Sequence, residues 1–233
     1  MTERACSRSS EVMPLSLEAL KRNGHNLNLI ECEAAGEYDI PILRPEHASE
    51  RMIWIGFNGV LSDTNRTAHG VHFFIDDYLF ERAWNDPKRY AALLGGHPAV
   101  LTADFSMYTD YPKAVQIYNH WRKHLLGAYW QSLGIRVFPS VCWSDHESYD
   151  WCFDGEPIGG TIAVSSVGTQ KNKDARRLFM DGYREALSRL QPEKVLFFGD
   201  VPDGCEGNIE QSDAFYKAVN SRRTAVDSPA KER

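Results

Sequence analysis

Residues 70–110 read GVHFFIDDYLFERAWNDPKRYAALLGGHPAVLTADFSMYTD. An apolar run at 71–75 ends in Asp76 and Asp77, a helical stretch follows, and a second apolar run at 99–103 ends in Asp104, Phe105 and Ser106. Strand, helix, strand is the crossover unit of a parallel sheet, whose ligands bind beyond the carboxyl ends of the strands. Both strands deliver carboxylates to that end. The run at 71–75 has no polar alternation, as expected of a parallel strand buried on both faces.

Further alternation extends outward from this unit. Upstream, 51–58 (RMIWIGFN) reads as a strand, and shorter apolar pieces lie around 27–30 and 38–43. Asp86-Pro87 has the residue types of an N-cap and first helical position, and Gly95-Gly96 stops that helix. Downstream, 110–112 open the longest helix, with a period of apolar positions from Ala114 to Tyr129 and a stop at Gly134. Strands are expected at 136–142, where Pro139 demands a bulge or an unpaired amide, and at 161–167 and 194–198. Asp174 is read as the cap of a helix between the last two. Residues 15–22 read as a short helix and 208–220 as a terminal one.

The expected class is α/β: a parallel (β/α) barrel-like sheet, irregular or incomplete, with an open doubly wound sheet as the alternative. The domain reading is a polar segment over 1–25, a single α/β domain over 26–220, and a disordered tail over 221–233.

The chain has 233 residues, 42% hydrophobic and 25% charged, with a formal net charge of −6. That length supports a sizeable core without cross-links. The negative balance argues against a broad nucleic-acid coat but leaves room for a local basic groove. Five cysteines, Cys6, Cys32, Cys142, Cys152 and Cys205, form no C-x-x-C pair. A reducing, cytoplasmic setting is expected, with no signal-peptide core and no apolar run near the roughly 20 residues of a membrane span.

The strand ends gather the candidate chemistry. Asp77 and Asp104 are the catalytic candidates, as acid and base. Asp76, Asp77 and Asp104 are candidate ligands for Mg²⁺, which prefers hard oxygens. Ser106, Trp143, Ser165, Ser166, Gly168 and Lys171 are candidate substrate contacts. An Asp after a strand often only caps the next helix, so one member of the Asp76-Asp77 pair is expected to cap. The segment SSVGTQKNKDARR (165–177) places hydroxyls, a glycine, Lys171, Lys173, Arg176 and Arg177 at a helix start that could attract a phosphate. It is not a P-loop, and a solvated charged helix start is the plainer reading. His120 and His124 lie one turn apart beside Arg122 and Lys123 on a face read as solvated, which argues against a metal there.

The stretches VHFFIDDYLFERAWNDPKRY, VLTADFSMYTDYPKAVQIYNHWRKHLLGAYWQSLGIRVFPSVCW, FDGEP, TIAVSSVGT and LFFGD, in that order, resemble a family of bacteria, phages and mobile elements catalogued as domain of unknown function 4417. The resemblance covers about residues 38–200 and brings no assigned catalytic roles. One departure is Ala103, where the family pattern has proline before Asp-Phe-Ser.

Two functions compete. One is a hydrolase or transferase acting on a phosphate-bearing or nucleotide-like small molecule at the sheet rim. The other is a non-enzymatic protein of a phage or mobile element that binds nucleic acid or a host protein, with a basic groove from Arg122, Lys123, Lys171, Lys173, Arg176 and Arg177.

Overall fold

The computed structural model describes residues 24–212. The chain divides into two compact units, residues 1–31 and 32–233. In the described part of the first, residues 24–28 form turns rather than the strand expected around 27–30. Asn26 adopts a left-handed φ of 57°, and Leu29 N–H returns to its carbonyl at 3.0 Å, which breaks any extended run. The helix expected over 15–22 lies outside the described residues.

The second unit opens with a two-stranded antiparallel hairpin, β1 (Ala34–Ala35) and β2 (Ile40–Pro41). The expected strand over 38–43 therefore exists only in part and does not join the parallel set. That set comprises β3 (Ile53–Gly56), β4 (His69–His72), β5 (Val100–Leu101), β6 (Val137–Phe138), β7 (Thr161–Ser165), β8 (Lys194–Phe198) and β9 (Ile209–Gln211). Strands β3-β4-β5-β6 form one parallel sheet and β7-β8-β9 another. Pro139 ends β6, as its missing amide requires. A single parallel bridge, Ser140 to Ala163, then links the two pieces.

Among the described parallel strands, neighbours in space are neighbours in sequence, with no reversal of strand order such as a doubly wound sheet has. The parallel α/β architecture is as expected. No hydrogen-bonded pairing closes β3 onto β9 among the described strands. Strand β9 replaces the start of the helix expected over 208–220; residues 213–220 lie outside the described residues.

Helices α1 (Glu81–Asn85) and α2 (Pro87–Leu94) cross from β4 to β5, α3 (Lys113–Ser132) from β5 to β6, and α4 (Lys173–Leu190) from β7 to β8. Asp86 caps α2 by accepting from Arg89 N–H, with Pro87 in its first turn. The cap of α4 is Asn172, not Asp174: its Oδ1 accepts Ala175 N–H at 2.9 Å. Asp174 instead lies in the first turn, where its charge suits the helix dipole.

Strand β4 starts and ends earlier than the apolar run at 71–75 expected to form it, and the chain at its end is packed on both sides. Phe73 stacks on Trp130 of α3 and on Phe57, at 5.6 and 4.8 Å between ring centroids. On the opposite face, His72 and Phe74 meet Phe198 of β8 at 5.2 and 4.8 Å. Trp54 of β3 also reaches Phe198, at 5.9 Å. Helix α3 is buried on almost every side, and its polar residues tie loops down. Gln116 donates to the carbonyls of Tyr108 and Tyr111, Asn119 to Ser106 O, and Gln131 exchanges bonds with the Arg44 backbone.

The face expected to be solvated is therefore interior: His120, Lys123 and His124 are at most 1% exposed. The hairpin and the loop holding Gly155 cover it. Gly155 has φ +73°, and a Cβ there would come within 2.6 Å of Pro41 O and 2.9 Å of His124 Nδ1, so only glycine lets this loop lie so close.

Candidate functional site

Strands β4 to β7 end at one cavity of about 540 Å³. Phe74 and Asp76 come from the end of β4, Asp104 and Met107 from the end of β5, and Val141, Cys142 and Trp143 from beyond β6. Val164, Ser165, Gly168 and Lys171 come from β7 and the loop that follows. The first turns of α4 close the side with Ala175, Leu178 and Phe179.

Asp104 is the most unusual group in this wall. Its Oδ1 is buried and has no hydrogen-bond partner among the described residues. Burial pushes its carboxyl up to about 7, against the pull of the Lys123 charge and of contacts from Cys142 and Ser140, with the Asp77 charge adding to the rise. A carboxyl in that range can both give and take a proton near neutrality. Cys142, beside it, is no nucleophile at neutral pH, because burial holds its thiol well above the usual range.

The aspartate pair divides its work. Asp77 turns away from the cavity wall to hold the next loop: its carboxylate accepts Ser106 N–H at 3.0 Å and Ser106 Oγ–H at 2.7 Å. Ser106 is thereby occupied too, and neither residue lines the cavity. Asp76 is exposed, makes no side-chain cap bond, and lines the cavity. Among the described residues, Asp76, Asp77 and Asp104 do not form a set of three with ligand atoms close enough for one ion.

Of the remaining candidates, Trp143, Ser165, Gly168 and Lys171 line the cavity and Ser166 does not. Ser166 donates its hydroxyl to Asp200 O at 2.6 Å, joining the ends of β7 and β8. Trp143 is fixed from behind: its indole donates to Leu178 O at 3.2 Å, and its ring sits directly over Gly182 of α4. Any side chain at 182 would run into the indole. Gly182→Ala is expected to cost about 1–2 kcal/mol net of the helix gain and to shift tryptophan emission, as measured by urea unfolding followed by fluorescence.

The basic groove does not form as expected. Lys123 is interior, with Nζ donating to Glu156 Oε1 at 2.6 Å and Ser140 O at 3.0 Å. Arg122 pairs with Glu81 at 2.7 Å and lies 3.5 Å over the Phe105 ring. Lys171, Lys173, Arg176 and Arg177 remain exposed at the start of α4.

Sequence reading missed the interior cluster around Lys123. His124 Nε2 lies 3.1 Å from Glu156 Oε1, and the His120 and His124 rings are 4.4 Å apart. Burial and then the Lys123 charge hold the His120 imidazole well below its usual range, so it is neutral. The signal available was the FDGEP loop, whose glycine and acid imply a close approach to something buried.

The family model described as Domain of unknown function (DUF4417) matches residues 32–215. The chain is 40% identical over 171 residues to the "Gene 1 protein" of Mycobacterium phage L5, covering 72% of this chain and 74% of the relative. It is 38% identical over 202 residues to the "Gene 1 protein" of Mycobacterium phage D29, covering 83% of this chain and 72% of the relative. No solved structure matches the chain at a significant level. No helix among the described residues is long and apolar enough to cross a membrane.

Proposed function

The chain belongs to the DUF4417 family, with relatives in phages, and from that premise we propose that it is a cytoplasmic hydrolase or transferase acting on a phosphate-bearing or nucleotide-like substrate in the strand-end cavity. The observation that carries this reading is Asp104, an unpartnered carboxyl oxygen at the cavity with its ionisation near 7. Active sites are where such groups concentrate. In this reading Asp104 is the general acid–base, and Trp143 supplies a flat apolar wall for a base or sugar. Gly168 and Lys171 face the anion at the start of α4, where backbone amides favour negative charge. Asp76 is the carboxylate placed to share a Mg²⁺ with the substrate's phosphate, since such ions take few protein ligands when phosphate supplies the rest. The seven parallel strands fit an irregular barrel whose wall is completed by side chains, with Trp54 against Phe198 and Arg51 donating to Gln211 O at 3.3 Å.

Titration with nucleoside mono- and triphosphates, with inorganic phosphate as the comparison, tests this reading. A saturable change in Trp143 emission is expected, absent in Trp143→Phe and weakened about tenfold in Lys171→Ala. Absence of binding at millimolar nucleotide counts against it.

The nucleic-acid reading keeps one favourable observation. Tyr78, Tyr108 and Tyr111 are exposed on the loops after β4 and β5, and bases stack on such rings. Of the six basic residues it called on, Lys171, Lys173, Arg176 and Arg177 remain exposed. Single-stranded DNA competing with nucleotide, with a steep loss on added salt, favours it over the enzyme.

A further inference from the structure

We infer that His120, His124 and Glu156 form an interior site for a divalent transition-metal ion of the zinc class, separate from the strand-end cavity. One ligand atom from each residue lies within 4.8 Å of the others, and all three residues are buried. None of them lines the cavity.

The hydrogen bonds decide which ring nitrogens are available. A carbonyl oxygen can only accept. His120 Nε2 contacts Asp154 O at 3.0 Å, and His124 Nδ1 contacts Pro41 O at 2.8 Å, so those two nitrogens carry the protons. The lone pairs of the neutral rings then belong to His120 Nδ1 and His124 Nε2. His120 Nδ1 and Glu156 Oε2 are buried without a hydrogen-bond partner among the described residues, and the buried lone pair of His124 Nε2 would face the Glu156 Oε1 carboxylate oxygen at 3.1 Å. Two unpartnered polar atoms beside a lone pair facing a carboxylate are costly at one interior point unless something satisfies them. Backbone carbonyls orienting the far ring nitrogens are the usual support for metal-bound histidines.

The donor set selects the ion. Two imidazoles and one carboxylate suit Zn²⁺ and its neighbours, whereas Mg²⁺ prefers oxygen ligands alone. Tetrahedral zinc with bonds of about 2.0–2.1 Å needs ligand atoms roughly 3.3 Å apart. The 3.1 Å between His124 Nε2 and Glu156 Oε1 already meets that spacing. Glu156 Oε1 also accepts from the Lys123 ammonium at 2.6 Å, whose positive charge favours an anion in the fourth position. The three ligands come from α3 and from the loop that covers it, so the ion would pin that loop to the helix.

The test uses the full, untagged chain. Purified protein is expected to contain roughly one zinc per chain. After chelation, zinc should restore a melting temperature lowered by about 5 °C or more. Co²⁺ in its place should give the visible absorption of a four-coordinate nitrogen–oxygen site. His120→Gln and Glu156→Gln should lose the stoichiometric metal. Wild-type protein that carries no metal, gives no Co²⁺ spectrum and does not change its melting temperature with zinc overturns the inference, whatever the variants do. Retention of the metal by folded His120→Gln overturns it as well. Loss of zinc binding with nucleotide binding intact would separate this site from the function proposed for the cavity.

Discussion

Asp104→Asn is expected to melt higher than the unaltered chain at pH 8, by roughly 5 °C or more, and at the same temperature near pH 4. The sign follows from linkage. Burial pushes the folded-state carboxyl up to about 7, above the ordinary aspartate value of 3.8. Between those values the folded state binds more protons than the unfolded one, so stability falls as pH rises through that window. Above pH 7 the ionised group costs up to ~4 kcal/mol, from a shift of about three pH units at 1.36 kcal/mol each. Asparagine carries no charge and escapes that cost. The same variant should lose turnover of any nucleotide substrate while still binding it. A variant that is destabilised at every pH would instead make Asp104 part of the scaffold.

Breaking the interior ion pair has the opposite sign. Lys123→Met strands the Glu156 carboxylate, whose side chain is 0% exposed. Burial alone pulls the Lys123 ammonium down, but the Glu156 carboxylate more than offsets this and lifts it above the ordinary lysine range. Removing one partner of such a pair costs about 3–5 kcal/mol, which for a chain of this size is a loss of roughly 10 °C. Measured on metal-free protein throughout, Lys123→Met combined with Glu156→Gln should recover at least half of it, because no uncompensated charge then remains. The double-mutant cycle in urea gives the coupling directly. Equal destabilisation in the single and double variants would show that packing of the lysine stem, not its charge, matters.

The sequence made the local features legible and left out those that depend on distant chain. The strand–helix–strand unit at 70–110, the Asp86-Pro87 helix start and the strand Lys194–Phe198 all follow from residues within a few positions of one another. So does the convergence of Asp76, Asp104, Trp143, Ser165, Gly168 and Lys171 on one rim, because parallel strands deliver their ends to the same side. The burial of His120, Lys123 and His124 was illegible. Helical period describes one element, whereas the covers come from Pro41, 83 residues before His124, and from Glu156, 33 residues after Lys123. The division of labour between Asp76 and Asp77 was hidden for the same reason, since it depends on Ser106 in the next loop. Strand β9 is three residues long and largely polar, so nothing but its pairing with β8 marks it.

The break at Pro139 has a mechanical consequence. From Pro139 onward, the segment beyond β6 meets β7 among the described residues through two backbone amide bonds, Val141 N–H to Ala163 O and Ala163 N–H to Pro139 O, each 2.8 Å. Val141, Cys142 and Trp143 stand on one side of that seam, and Val164 and Ser165 on the other. A cleft straddling such a seam can widen or narrow by straining two hydrogen bonds, where an unbroken ladder would resist along its whole length. A bound molecule touching both banks would act as a rivet across the two sheets.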